Sequence, residues 1–421
     1  MQLFIRLLKT ETLRDTLISF VGLGTTTILG FFFTIIMART LGPEKFGIFS
    51  SVIALVSIIY SLGDLGIPPA LINFLPKLPL QKNNLIGTAF VAQLMACIFA
   101  ASVFLVLIYF HRFVVPGSRQ NYLLLALLIT LSYILSGFAQ GVFSAQRRFW
   151  KLSANQMIDS VIKIALVIVL LSFSRLDITT ALIANVISSF LAFVFTYGRE
   201  IITLKFHLEM DLLKLILSFS KWIALSRLFS VFIGRVDILI LNLLLSSHAA
   251  GIFAASSKVT LFFALLISSL NVVVNPRFSG FKTAQETLGY IRKLLLFVIA
   301  IAVVMLLCAV FASPIILTVF GQGYREAIFV FRYLTLAMLP FLFSLITTPA
   351  IIYTFNRPDL YAKITAVQVG LIIAIDLLFI PQYGVLAPVV ATAVSNIFVL
   401  IISSLKLKQL LSLAQLTDES R

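Results

Sequence analysis

Long apolar segments alternate with short polar connections along the whole chain. A helix that crosses a bilayer needs roughly 20 mainly apolar residues, and twelve segments satisfy this condition. They span residues 13–38, 46–66, 84–110, 121–145, 155–174, 178–197, 216–245, 248–272, 291–317, 326–353, 359–380 and 384–405. The connections are too short to hold a folded soluble domain. The pattern therefore predicts an all-α integral membrane protein with twelve transmembrane helices.

The two halves of the chain repeat each other. Gly-Ile-Phe at 47–49 returns at 251–253, and the first six apolar segments correspond to the last six at nearly the same offset. Duplicated helix sets are typical of transporters whose site lies between the repeats. We therefore expect two pseudo-symmetric six-helix bundles around a central cavity. The expected parts are an N-terminal bundle (1–197), a cytoplasmic interfacial linker (198–215), a C-terminal bundle (216–405) and a cytoplasmic tail (406–421).

Composition and charge support a membrane location. The chain is 60% hydrophobic and 11% charged, against about 25% charged in soluble domains. With the N-terminus inside, 21 Lys and Arg residues fall on the cytoplasmic side and 6 outside, which predicts that both termini are cytoplasmic. The net charge of +16 is spread over short loops, so nucleic-acid binding is not expected. Phosphate-loop and metal-ligand motifs are absent from the sequence, so we expect neither an enzyme nor a metal or cofactor.

Several ionisable residues lie inside the predicted spans, where each needs a partner or a wet cavity. Asp237 and Lys258 are equally far from the turn between their helices, so we predict that they form an ion pair. Asp64 is either a simple helix-end residue or a hinge or gate contact. Asp159 and Lys163 form an i,i+4 pair that favours local neutralisation. Four prolines, at 314, 340, 349 and 388, predict kinks in the second half.

Short motifs resemble a known family. They are Arg39 followed by T-L-G-x-x-x-F-G-I-F, then G-D-L-G-I at 63–67, Asp237 before L-x-L-x-L-L, and F-N-R-P at 355–358. This combination resembles the bacterial polysaccharide or O-antigen repeat-unit flippases (Wzx-type), the oligosaccharide-exporter branch of the multidrug/oligosaccharidyl-lipid/polysaccharide superfamily. The resemblance covers the chain through all twelve predicted helices.

The resemblance implies a flippase that works by alternating access in the cell inner membrane. Its implied cargo is an undecaprenyl-pyrophosphate-linked oligosaccharide, moved to the outer leaflet for lipopolysaccharide or exopolysaccharide synthesis, with a polymerase and a chain-length regulator as further partners. Cationic side chains in a low-dielectric cavity would attract the pyrophosphate. The candidate substrate-binding cations are Arg39, Arg227, Arg235, Lys258 and Arg332, and the candidate gating or pairing acids are Asp64 and Asp237.

Two alternatives remain open from the sequence. A multidrug or cation antiporter of the same superfamily needs a cation-attracting, acidic cavity, whereas this chain has five basic and four acidic residues inside its spans. A membrane scaffold for a glycan-assembly complex would need no transport at all.

Overall fold

The structure is a computed structural model that describes residues 11–202, 207–281 and 284–419. Within these ranges the regular elements are all helices. The α-helices are α1 Glu11–Gly63, α2 Ile67–Phe74, α3 Lys82–Tyr109, α4 His111–Val114, α5 Gln120–Ala145, α6 Phe149–Ser172, α7 Ile178–Ile202, α8 Met210–Leu244, α9 Ser247–Gly280, α10 Ala284–Val310, α11 Ala312–Phe320, α12 Ala327–Ala337, α13 Leu339–Pro349, α14 Pro358–Tyr383 and α15 Leu386–Glu419. Single turns of 3₁₀-helix lie at Pro79–Gln81 and Gln322–Tyr324, and a π-helix lies at Ala350–Thr354.

The predicted membrane architecture is confirmed. Ten helices of the described residues are long and apolar enough to cross a membrane. One of them, Gly22–Gly63, covers most of the first two predicted spans. The predicted span 216–245 corresponds to α8, which is not among the ten and carries several charged residues along its length. The twelve predicted spans are therefore consistent with this count, and the chain is a multi-pass membrane protein.

The kink inside α1 follows from two adjacent residues. Gly42 has a φ of 69° and a ψ of 171°, a left-handed backbone that a side chain would oppose. Pro43 follows it and has no N–H to donate to the preceding turn. The helical hydrogen-bond ladder is interrupted there, which separates the two predicted spans.

Three of the four prolines predicted to kink the second half of the chain lie at breaks, whereas Pro388 lies in the first turn of α15, which continues without a break. The span expected at 326–353 is divided into α12, α13 and the π-helix. The break between α12 and α13 falls at Met338, two residues before Pro340, and Pro349 immediately precedes the π-helix. The span expected at 291–317 likewise divides between α10 and α11 at Phe311, three residues before Pro314. Each break lies where a proline removes a backbone donor.

The described chain forms two compact units. Unit 1 comprises residues up to Leu41 together with Ile48–Val231, and unit 2 comprises Gly42–Gly47 together with the residues from Phe232 onward. The boundary therefore lies inside α8, whereas the sequence analysis expects a linker at 198–215. Residues 203–206 of that expected linker lie outside the described part of the chain, as do residues 1–10, 282–283 and 420–421.

The duplicated glycines make a reciprocal contact in unit 2. A Cβ atom on Gly47 would lie 1.7 Å from the Ser247 carbonyl oxygen, and one on Gly251 would lie 1.9 Å from the Pro43 carbonyl oxygen. Only glycine permits backbones to approach this closely. The two halves of the contact are related by the same offset as the Gly-Ile-Phe repeat, which supports the internal duplication.

The first half of α8 packs into the core of unit 1. Leu212 and Ile216 are buried in a cluster with Ile67 and Leu71 of α2. The Ser220 hydroxyl donates a 2.9 Å hydrogen bond to the carbonyl oxygen of Gly66, just before α2 begins. These contacts fix the position of the next turns of α8, which carry Arg227.

Candidate functional site

An ion pair joins α8 to the end of α1. Arg227 donates a hydrogen bond from its Nη1 atom to Oδ2 of Asp64. The Asp64 side chain is only 2% exposed, whereas that of Arg227 is 46% exposed. Asp64 directly follows the last residue of α1, and left-handed φ angles at Leu65 and Gly66 turn the chain into α2. The role of Asp64 as a hinge or gate contact stays a prediction.

Tyr60 connects this ion pair to a polar cavity. A Cβ atom on Gly137 would lie 3.0 Å from the Tyr60 hydroxyl and 3.5 Å from Oδ1 of Asp64, so both polar atoms converge on this glycine. Tyr60 also interacts electrostatically with Arg227 and with Tyr133. Because Tyr60 lines the cavity, the Asp64–Arg227 pair and the cavity are immediate neighbours within unit 1.

The cavity has a volume of about 360 Å³, within the range of about 300–1,000 Å³ that is usual for small-molecule sites. We call it the unit-1 cavity. Its polar lining consists of three carboxamides (Gln140, Asn155, Gln156), one carboxylate (Asp159) and six hydroxyl groups (Thr26, Tyr60, Tyr133, Ser136, Ser160, Ser189), with Leu23 and Ala192 completing the wall. The lining residues come from α1, α5, α6 and α7.

The single carboxylate of the unit-1 cavity is neutralised. Oδ2 of Asp159 accepts a 3.0 Å hydrogen bond from Nζ of Lys163, and Oδ1 accepts a 2.7 Å bond from the Ser188 hydroxyl. Lys163 also interacts with the Tyr133 hydroxyl. The predicted pairing of Asp159 with Lys163 is confirmed, and it leaves the cavity lining without a net charge.

One amide of the lining has unused hydrogen-bonding capacity. Asn155 is 5% exposed, and its Nδ2 atom has no hydrogen-bond partner among the described residues. A buried amide donor normally has a hydrogen-bond partner, because leaving the donor unpaired costs about 1–3 kcal/mol. Asn155 therefore combines a place in the cavity lining with a buried donor that has no partner among the described residues.

The five predicted substrate-binding cations all have partners in the protein. Besides Arg227 with Asp64, Arg332 donates from Nε to the Ala309 carbonyl oxygen at 3.1 Å. Arg39, Arg235 and Lys258 each interact with another part of the chain. Arg39 and Arg227 belong to unit 1, and the other three to unit 2. Their role in substrate binding remains a prediction.

The predicted ion pair between Asp237 and Lys258 is wrong. The charged neighbour of Asp237 is the carboxyl group of Asp376, on α14. Both aspartates are buried, and their side chains lie within hydrogen-bonding reach of each other. Equal distance from the turn determines only the depth of Asp237 and Lys258 along their helices, whereas pairing also requires that they face each other. Two adjacent buried carboxyl groups repel each other unless a shared proton or a cation offsets their charge.

The unit-1 cavity is not among the sequence predictions, although the sequence carries a signal for it. Tyr133, Ser136 and Gln140 recur at the three- and four-residue spacing that places them on one face of α5. Asn155 and Asp159 do the same on α6. Polar stripes on two apolar helices indicate a shared polar pocket.

Comparison with known proteins agrees with this architecture. The structure of lipid II flippase MurJ in an inward closed conformation matches with a TM-score of 0.76 at 14% identity, covering 93% of this chain and 87% of that one. A multidrug resistance MATE family transporter of the MOP superfamily, in an inward-facing conformation, matches with a TM-score of 0.70 at 14% identity, covering 93% and 96%. The fold is thus the one shared by MurJ and MATE transporters.

The family follows from the sequence. Residues 12–282 match the polysaccharide biosynthesis protein family, and the chain belongs to it. An uncharacterized membrane protein of Methanocaldococcus jannaschii is 22% identical over 406 residues, covering 89% of this chain and 92% of that protein. The family resemblance stated from the motifs is confirmed.

Proposed function

We propose that this protein is a flippase that moves an undecaprenyl-pyrophosphate-linked oligosaccharide from the cytoplasmic to the outer leaflet of the cell inner membrane. The observation that carries the proposal is the Asp64–Arg227 pair beside the unit-1 cavity, in a family of polysaccharide biosynthesis proteins. Such a cargo has a charged pyrophosphate and an uncharged or weakly charged glycan. Arg227 of the pair would bind the pyrophosphate, and the unit-1 cavity would bind part of the glycan.

Arg227 is the residue we assign to the pyrophosphate. A guanidinium group has five N–H donors, and Asp64 accepts one of them from Nη1. The carboxylate holds the guanidinium in place, and the half-exposed remainder of the side chain is left for phosphate oxygens. Alternating access would then move the bound headgroup across the membrane while the lipid tail stays among the lipids.

Deletion of the gene in the native organism tests the proposal. Without the protein, lipid-linked oligosaccharide should accumulate on the cytoplasmic side and surface polysaccharide should be lost. The wild-type gene should restore both, whereas a stably expressed Arg227→Ala variant should restore neither. Restoration by Arg227→Ala would favour a scaffold, and increased drug susceptibility with normal polysaccharide would favour a multidrug antiporter.

A further inference from the structure

We infer that the unit-1 cavity binds a neutral sugar ring, the one joined directly to the pyrophosphate of the cargo. The inference rests on the proposed function and specifies which part of the cargo each group in unit 1 recognises. Its starting point is the chemistry of the lining, which is rich in carboxamides and hydroxyl groups and has a single, neutralised carboxylate.

Carboxamides suit the hydroxyl groups of a sugar. Each carboxamide of Gln140, Asn155 and Gln156 provides both donors and an acceptor, and a sugar hydroxyl likewise donates and accepts. Asn155 adds a specific reason, since it lines the cavity and its buried Nδ2 donor has no partner among the described residues. A site with buried groups of this kind rejects molecules that cannot pair with them.

The charges around the cavity argue against an ionic ligand. Both carboxylate oxygens of Asp159 are already occupied, one by Lys163 and one by Ser188, so an organic cation finds no free counter-charge there. Lys163 is committed to Asp159 and to the Tyr133 hydroxyl, so it does not present a free cation to a phosphate. The lining therefore favours a polar but uncharged ligand.

The aromatic side chains and the neighbouring ion pair orient that ligand. Tyr60 and Tyr133 meet edge to face, with ring centroids 6.1 Å apart, and both line the cavity. Tyrosine combines an apolar ring with a polar hydroxyl, which matches the apolar face and polar rim of a sugar ring. Because Tyr60 also neighbours Asp64 and Arg227, a diphosphate at Arg227 would place its attached sugar next to the cavity.

The test measures sugar binding without transport. The full-length protein in lipid nanodiscs is mixed with a panel of methyl glycosides (glucose, galactose, mannose and N-acetylglucosamine forms), and saturation-transfer NMR detects contact. Inorganic pyrophosphate is followed in parallel by phosphorus NMR line broadening. We expect at least one glycoside to bind the wild type, and Asn155→Leu to weaken that binding by about tenfold while pyrophosphate binding is unchanged. Arg227→Ala should weaken pyrophosphate binding and leave glycoside binding unchanged.

Two further variants keep the test decisive. Ser160→Ala removes one half-buried hydroxyl and should weaken glycoside binding by roughly two- to tenfold even if Asn155→Leu fails to fold. Asn121→Leu removes an exposed amide at the start of α5, away from the cavity lining, and should bind like the wild type. The inference is overturned if the wild type binds none of the glycosides, or if binding is equal in the wild type, Asn155→Leu and Ser160→Ala. A failed proposed function would instead appear as normal surface polysaccharide in the gene deletion, whatever the NMR result.

Discussion

Removing the two partners of the Asp64–Arg227 pair should have unequal effects on stability. Arg227→Ala leaves a carboxylate that is 2% exposed without its counter-charge, whereas Asp64→Asn leaves an arginine that is 46% exposed. Breaking a fully buried pair costs about 3–5 kcal/mol, and exposed pairs are worth about 0–1 kcal/mol. With one buried and one half-exposed partner, we expect a loss of about 2–3 kcal/mol for Arg227→Ala and about 1 kcal/mol for Asp64→Asn.

Thermal unfolding in detergent, followed by intrinsic fluorescence, can resolve this difference. A loss of 1 kcal/mol lowers the midpoint by roughly 2–4 °C for units of about 150–250 residues. The double variant Asp64→Asn with Arg227→Gln should recover part of the Arg227→Ala loss, because no buried charge is then left unpaired. Arg175→Ala, in the exposed connection between α6 and α7, is the matched control and should leave the midpoint unchanged. Equal losses for the two single changes, or a larger loss for Asp64→Asn, would refute the reasoning.

Three other predictions follow from the packing. Gly251→Ala should lower the unfolding midpoint and the yield of folded protein, because its Cβ would lie 1.9 Å from a backbone oxygen, whereas Gly370→Ala has open space and should be neutral or stabilising; equal effects would contradict the close contact. Asp376→Asn should raise the midpoint by relieving its repulsion with Asp237, and a lower midpoint would show that the two carboxyl groups are already compensated. Lys163→Gln should leave the unit-1 cavity negatively charged, so that a cationic dye such as rhodamine 6G binds it in fluorescence anisotropy; unchanged dye binding would argue against the neutralised carboxylate.

The sequence predicts the helices well because their signal is local. Apolar length identifies the spans, and Gly42 and Pro340 mark interruptions that follow from backbone chemistry alone. The duplication is equally visible because Gly47 and Gly251 keep a constant offset, and the structure adds that they touch.

The contacts of the site were less predictable, because they join distant parts of the chain. Asp64 and Arg227 are 163 residues apart, and no local pattern links them. The Asp237 partner was misassigned because equal depth in a membrane does not determine which way a side chain faces. From the sequence we expect only that an ionisable residue inside a span has a partner or a wet cavity, and Arg227 has such a partner in Asp64.

The most direct test of the central claim is leaflet accessibility in proteoliposomes. Fluorescent undecaprenyl-pyrophosphate-linked oligosaccharide, extracted from the native organism and labelled, is placed in vesicles with the purified protein, and the fraction reached by an external quencher is followed over time. We expect the wild type to expose the inner-leaflet pool within the assay, and Arg227→Ala to behave like protein-free vesicles. Equal exposure in wild-type, Arg227→Ala and protein-free vesicles would contradict the account.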